Sequence, residues 1–322
     1  MPERSSDPGG SSFFAGSGDM ASEISQIADG DVAVLEILHD LDPGQVDDAV
    51  AKKRLGFGFW LASAWFFLVL VLALLAPLLP LKDPLVPVGR PRQSPNIEFW
   101  FGTDSIGRDI FSRVIWGGRV SLVVGFASIL LGLAVGGTIG IVAGYYKRRT
   151  EAFLMGSMDV LLAFPALLLA LVIVSFTGDN SITNVVLAIG IVSIAPIARL
   201  VRASTLVFSQ REFVTAARSL GASNGRIITR EILPNVLLPV LSFSIIGVAV
   251  AIVAEGGLAF LGLSVPPPTP TWGGMINDGR AQLDNHPYMS LIPCFIMFLT
   301  VLSLNLAGDR IREYFDIKEG AL

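Results

Sequence analysis

SLVVGFASILLGLAVGGTIGIVAGYY, residues 121–146, carries no charged side chain and exceeds the roughly 20 residues that take an α-helix across about 30 Å of hydrocarbon. Lipid offers no water to backbone N–H and C=O groups, so such a run is read as a spanning helix that satisfies them internally. Gly132, Gly136, Gly140 and Gly144 recur every four residues, and Ser128 extends the row. At helical spacing they share one face, where the missing side chains let a second helix approach closely or leave a smooth pathway wall.

Outward from this stretch the chain repeats the theme. Apolar blocks predict six spans at about 57–79, 120–146, 160–176, 185–203, 235–261 and 289–307. No alternating strand pattern covers them, so the expected fold class is an all-α membrane protein with six transmembrane helices. Of the 322 residues, 52% are hydrophobic and only 16% charged, against about 25% charged in ordinary soluble domains.

Residues 1–54 read differently. They are acidic, with Arg4 the single base before Lys52, and residues 1–30 are rich in Ser, Gly and Asp. The expected organisation is an acidic cytoplasmic extension, 1–54, disordered or partly helical, before a transmembrane domain, 55–322. Short amphipathic helices are predicted around Val32–Leu41 and Gln45–Lys53. No basic start followed by an apolar core marks a signal peptide. The mildly basic body lacks a basic face with stacking aromatics, which argues against nucleic acid as a partner.

Lysines and arginines set the expected orientation. Lys52, Lys53 and Arg54 precede the first span, Lys147, Arg148 and Arg149 separate the second and third, and six arginines from Arg199 to Arg230 lie between the fourth and fifth. Both termini are thus expected in the cytoplasm. The connection Leu81–Arg119 opposes this with six bases of its own, accompanied by Asp83, Glu98, Asp104 and Asp109.

The cytoplasmic segment 204–234 contains REFVTAARSLGASNGRIITREILPN, residues 211–235. Phe213, Ala216, Ala217 and Leu220 fall at helical spacing. Gly221 permits a break, Ser223 or Asn224 can cap a second short helix, and Pro234 suits the first turn of the next span. Physical reading leaves two options: an amphipathic loop resting on lipid headgroups, or a low-relief surface on which a partner docks.

This stretch resembles the EAA loop of ABC importer permeases. Thr215-Ala216-Ala217, Gly221 and Leu233-Pro234 match the family pattern of Glu-Ala-Ala, a following Gly and a closing Leu-Pro. Thr215 stands where the family has glutamate, and Glu231 is a second departure. FGTDSIGRDIFSRVIWGGRVSL (101–122), AEGGLAFLGLSVPPPTPTWGGMI (254–276) and NLAGDRIREYFD (305–316) resemble the C-type subunits of the dipeptide/oligopeptide branch. The resemblance covers about residues 55–318. It implies a type I ABC importer permease fold, with ATPase coupling through Phe213, Thr215, Ala216, Ala217, Arg218, Gly221, Leu233 and Pro234. It also implies a second homologous permease of B type, one or two ATPase subunits holding ATP and Mg, an external substrate-binding protein, and a prokaryotic cytoplasmic membrane. The expected cargo is di- or oligopeptides, with nickel or haem complexes as alternatives within the branch.

Other residues stay open. Glu255 and Asp159 are candidates for a pathway or gate, with burial in a hydrogen-bonded setting as the other reading of Glu255 and helix-start stabilisation that of Asp159. In the external motif Gly102, Thr103, Asp104, Gly107, Arg108 and Asp109, Asp104 is expected to cap the next helix, while Arg108 and Asp109 are ion partners or substrate ligands. Arg199 and Arg202 are expected to snorkel to the membrane surface. The lone cysteine, Cys294, is expected to be buried, and with only His39 and His286 no metal site is expected. No G-x-x-x-x-G-K-[ST] loop or catalytic set occurs in the sequence, so the chain is expected to bind no cofactor and to be no enzyme by itself. An ion-driven secondary transporter is the alternative, with Glu255 its sole intramembrane acid.

Overall fold

The computed structural model describes residues 57–178 and 181–320, with side chains at 58–178 and 181–313. The acidic extension 1–54, with its two expected helices, lies outside the described residues.

Among those residues the fold is helical, with one isolated bridge between Thr103 and Asp109. Helix α1 (Phe57–Leu75) stops short of the expected 79, just ahead of Pro77, which cannot donate to the ladder. Helix α2 (Ile110–Tyr146) starts ten residues earlier than its apolar block. Arg113 and Arg119 mask that start in the hydropathy. The Asp109 carboxylate caps it by accepting from Ser112 N at 2.9 Å, so Asp109 rather than Asp104 is the helix cap.

The expected third span, 160–176, is a correction. Residues 160–162 end an amphipathic helix, α3 (Arg148–Leu162), and the apolar remainder forms α4 (Ala166–Thr177). The two meet at 85°. Pro165 is the cause: it lacks an N–H and biases Phe164 away from helical geometry. Asp159 therefore sits in the last turn of α3 and not at a helix start.

Ser181 caps α5 (Ile182–Phe208), which outruns its expected end at 203. Helix α6 (Glu212–Ser219) follows, then α7 (Asn224–Phe260), whose segment Ile227–Ile232 is π-helical. The expected second short helix is thus the start of α7. Pro234 would normally break such a helix, but the preceding turn is already widened: Leu233 N–H bonds to Ile228 O, five residues back. Thr271 caps α8 (Trp272–Arg280), and α9 (Tyr288–Gly320) closes the chain. Five of these helices are long and apolar enough to span a membrane, or six if the bent pair α3–α4 counts as one.

The closest helix pair is α2 with α5, running in the same direction. Its seam is the glycine row. A Cβ on Gly136 would stand 2.5 Å from Ile194 O, one on Gly140 2.6 Å from Ala198 O, and one on Gly144 2.7 Å from Thr205 Cβ. Gly132 faces Ser193 and Ile197 in the same way. Around this seam Val124, Ile129, Val174, Val185, Ile252 and Leu258 join the central apolar cluster. Cys294 is exposed on α9, contrary to expectation; an apolar neighbourhood in sequence fixes membrane depth but not which side of a helix faces protein.

Two adjacent glycines separate packing from propensity. Gly136→Ala should destabilise the fold by about 1–3 kcal/mol through overpacking. Gly137→Ala, where a Cβ meets nothing within 4 Å, should be neutral or slightly stabilising. Thermal melting in detergent reads both, and equal melting shifts would contradict the seam.

Candidate functional site

Three elements built at the two ends of the bundle carry the chemistry. The first is α6, joining α5 to α7. Val214 is wholly buried and anchors it, in a cluster with Val201 and Phe208 of α5 and Ile227, Ile232 and Val236 of α7; Ala217 packs against that cluster. Tyr145, at the end of α2, donates its hydroxyl to Asn224 Oδ1 at 2.8 Å. The segment is therefore mounted on α5 and α7, and the Tyr145 bond ties the start of α7 to α2.

Its ends are built from the sequence. Glu212 in the first turn and Arg218 in the last suit the helix dipole. After Leu220 the chain closes with a Schellman turn: Ala222 N–H bonds to Ala217 O at 3.1 Å and Gly221 N–H to Arg218 O at 3.0 Å. Gly221 has φ +80, open to glycine at little cost. Phe213, Thr215, Ala216, Arg218, Ser219 and Leu220 are exposed, whereas Ala217, expected beside them, is half-buried and turned toward the Val214 cluster. Leu233 and Pro234 lie apart from these residues, inside α7. The sequence pattern missed Val214, because the anchoring contact comes from two other helices.

Between α3 and α5 lies a polar groove lined by Arg148, Glu151, Asp159, Arg199 and Arg202, with a volume of about 630 Å³. Arg199 donates to Asp159 at 2.5 Å, and Arg202 forms a close pair with Glu151. Both arginines bind α3 to α5. Exposed pairs of this kind each contribute little, on the order of 0–1 kcal/mol.

The opposite end is closed. Glu255 is fully buried, its carboxylate accepting from Ser264 Oγ at 2.5 Å and Ser121 Oγ at 3.3 Å. Ser121 also accepts from Trp272 N, so one carboxylate joins α2, α7, α8 and the loop before α8. The motif 102–109 is tied to itself. Thr103 Oγ donates to Arg90 O and accepts from Gln93 N, and Asp104 accepts from Ile106 N and Arg108 N. Arg108 Nε donates to Asp104 at 2.5 Å. Gly102 and Gly107 supply positive φ at the turns. Arg113 donates to Pro84 O and Pro268 O, locking the first connection onto the last. Burial pushes the Asp109 carboxyl above its ordinary range, partly offset by its bond from Ser112 N. Thr103, Asp104 and Arg108 thus spend their side chains inside the loop, and Asp109 spends its carboxylate on the start of α2.

Between the ends, α2, α4, α5 and α7 line a half-open cavity of about 530 Å³. Its lining is apolar apart from Ser193 and Ser244, whose hydroxyls donate to carbonyls of their own helices. Sequence reading had no signal for it, since four separate helices contribute one wall each. Among the described residues no group of His, Cys, Asp or Glu could hold a metal.

Comparisons with known proteins give a consistent result. Residues 136–318 match the family described as binding-protein-dependent transport system inner membrane component. A glutathione transport system permease protein, GsiD, of Pectobacterium atrosepticum is 42% identical over 229 residues, covering 71% of this chain and 76% of that protein. A dipeptide transport system permease protein, DppC, of Alkalihalophilus pseudofirmus is 42% identical over 226 residues, covering 70% and 74%. Among solved structures, an inward-facing MetNI methionine ABC transporter superposes with a TM-score of 0.53 at 17% identity, over 62% of this chain and 95% of that one.

The Schellman turn makes an ordered forecast. At residue 221 a side chain meets no atom within 4 Å, so only backbone strain acts. Hydrogen exchange at the 221 and 222 amides should rise from Gly to Gly221→Asn to Gly221→Ala, the last costing about 1–2 kcal/mol. Equal protection in the Ala variant would show that the turn does not need its glycine.

Proposed function

This chain belongs to the binding-protein-dependent transport system inner membrane component family, and we propose that it serves as one permease subunit of an ATP-driven importer of short peptides. Family membership and the helical fold set the ion-driven alternative aside. Di- and oligopeptides are the cargo this reading favours, because relatives at 42% identity are named for dipeptide and glutathione transport. The apolar cavity beside α5 and α7 is consistent with it. No charged group lines that wall, so it can pass peptides without selecting among them, and selection falls to an external binding protein.

The observation that carries the coupling is α6: exposed outward, and fixed inward by Val214. On this reading an ATPase subunit docks there. ATP and Mg belong to the ATPases, which hydrolyse ATP as they close and open. Because α6 rests on α5 and α7, and α7 is bonded to α2 through Tyr145 and Asn224, a displacement of α6 would move these helices as a body, the kind of rigid rotation that alternates access across a membrane. A second, homologous permease would complete the pathway, related by approximate two-fold symmetry. The arginine-rich α6 end then faces the cytoplasm, with both termini, in a prokaryotic cytoplasmic membrane. Glu255 and the motif 102–109 hold the external end rigid, and Asp159 fastens α3.

The test is uptake of a labelled dipeptide by proteoliposomes holding the full complex. Ala217→Glu sets a charge against the Val214 cluster, and Gly221→Pro demands φ near −65° where the chain has +80. Both variants should insert normally and lose at least about tenfold in ATP-driven uptake, each tenfold being roughly 1.4 kcal/mol of coupling. Undiminished uptake by Ala217→Glu would falsify the docking assignment.

A further inference from the structure

We propose that the surface receiving α6 has an acidic rim around an apolar floor. This rests on the coupling reading above and specifies the partner's chemistry. The apolar part is explicit. Leu220 is 88% exposed and Phe213 39%, and Ala216 lies between them at helical spacing. A leucine so exposed on a helix held firmly from beneath is a contact without its counterpart.

The charge around it is one-sided. Arg211 and Arg218 flank α6, and Arg226 and Arg230 stand on the first turns of α7. All four are exposed, and none forms an ion pair among the described residues. Arg199 and Arg202, nearer the bundle, are both paired, so local acids are used up where the structure needs them. From residue 209 to 230 the sole acid is Glu212, and Thr215 is neutral where the related pattern has glutamate. Every base in the segment is arginine and none lysine, the choice that suits planar, two-point contact with carboxylates. An apolar centre with a polar, charged rim is the ordinary anatomy of a protein interface.

Anionic lipid headgroups are the competing source of negative charge. The apolar floor argues against them: Leu220 is 88% exposed beside Phe213, yet Val214 holds the helix to the bundle, so Leu220 is not free to sink among acyl chains and headgroups give it no apolar counterpart.

The experiment measures association of the purified ATPase subunits with the permease pair in nanodiscs of neutral lipid. The double variant Arg211→Glu/Arg218→Glu should slow association about tenfold at low salt, with the difference vanishing near about 1 M salt. Exchange of rim acids for lysine on the ATPase should restore it. Melting of the variants should match the parent, since both side chains are exposed. Normal, salt-insensitive association of the double variant, alongside loss in Leu220→Asp, would overturn the acidic rim and leave the docking of α6 intact. A defect confined to nanodiscs of anionic lipid would assign the arginines to headgroups instead. Normal association in both variants would remove the docking reading itself.

Discussion

The structure depends on how closely two helices approach. Where α2 meets α5, Gly136 and Gly140 bring backbone against backbone, and a single methyl group would collide with a carbonyl. Lipid supplies no hydrophobic drive between spans, so this contact relies on dispersion across a matched surface. Because α5 runs straight on to Phe208 and then into α6, the seam also fixes where the α6 surface stands. The two arginine pairs to α3 sit on the same stretch of α5 and add a lateral brace.

The two ends of the bundle are finished in opposite ways. One closes on itself: Glu255, Arg113 and Asp104 are buried and partnered, and Glu255 and Arg113 each join segments distant in sequence. Buried charge is tolerated only with such partners, so this end has little freedom to rearrange. Among the described residues, the other end leaves four arginines without an ion partner and two large apolar side chains exposed. A stiff body with one finished and one unfinished end is suited to being moved by something that grips the unfinished one.

Much of this was legible in the sequence. The glycine row announces its own purpose because the spacing of four matches the helix, and the α6 residues stand out by polarity between apolar blocks. Boundaries were harder. Arg113 and Arg119 hid the first turns of α2, because hydropathy counts a charge without knowing that Pro84, Pro268 and Asp104 receive it. The 85° bend at Pro165 was hidden by a continuous apolar run, although the proline itself was the available signal. Val214, the cavity and the exposed face bearing Cys294 were not readable at all. Each depends on which helices become neighbours, and local pattern does not encode that.

The π-helical segment Ile227–Ile232 has a consequence for register. A π-turn accommodates one residue more than an α-turn, and each residue of a helix advances its faces by about 100°. The angle between the surface presented by α6 and the wall that α7 offers to the cavity is therefore a phase, set by whether that extra residue is looped out or wound in. Relaxing it to a regular helix would turn one surface about a third of a revolution against the other, and would pull Ile227, Ile232 and Val236 out of their register against Val214. The segment is the gear tooth by which this chain keeps its two working faces in step.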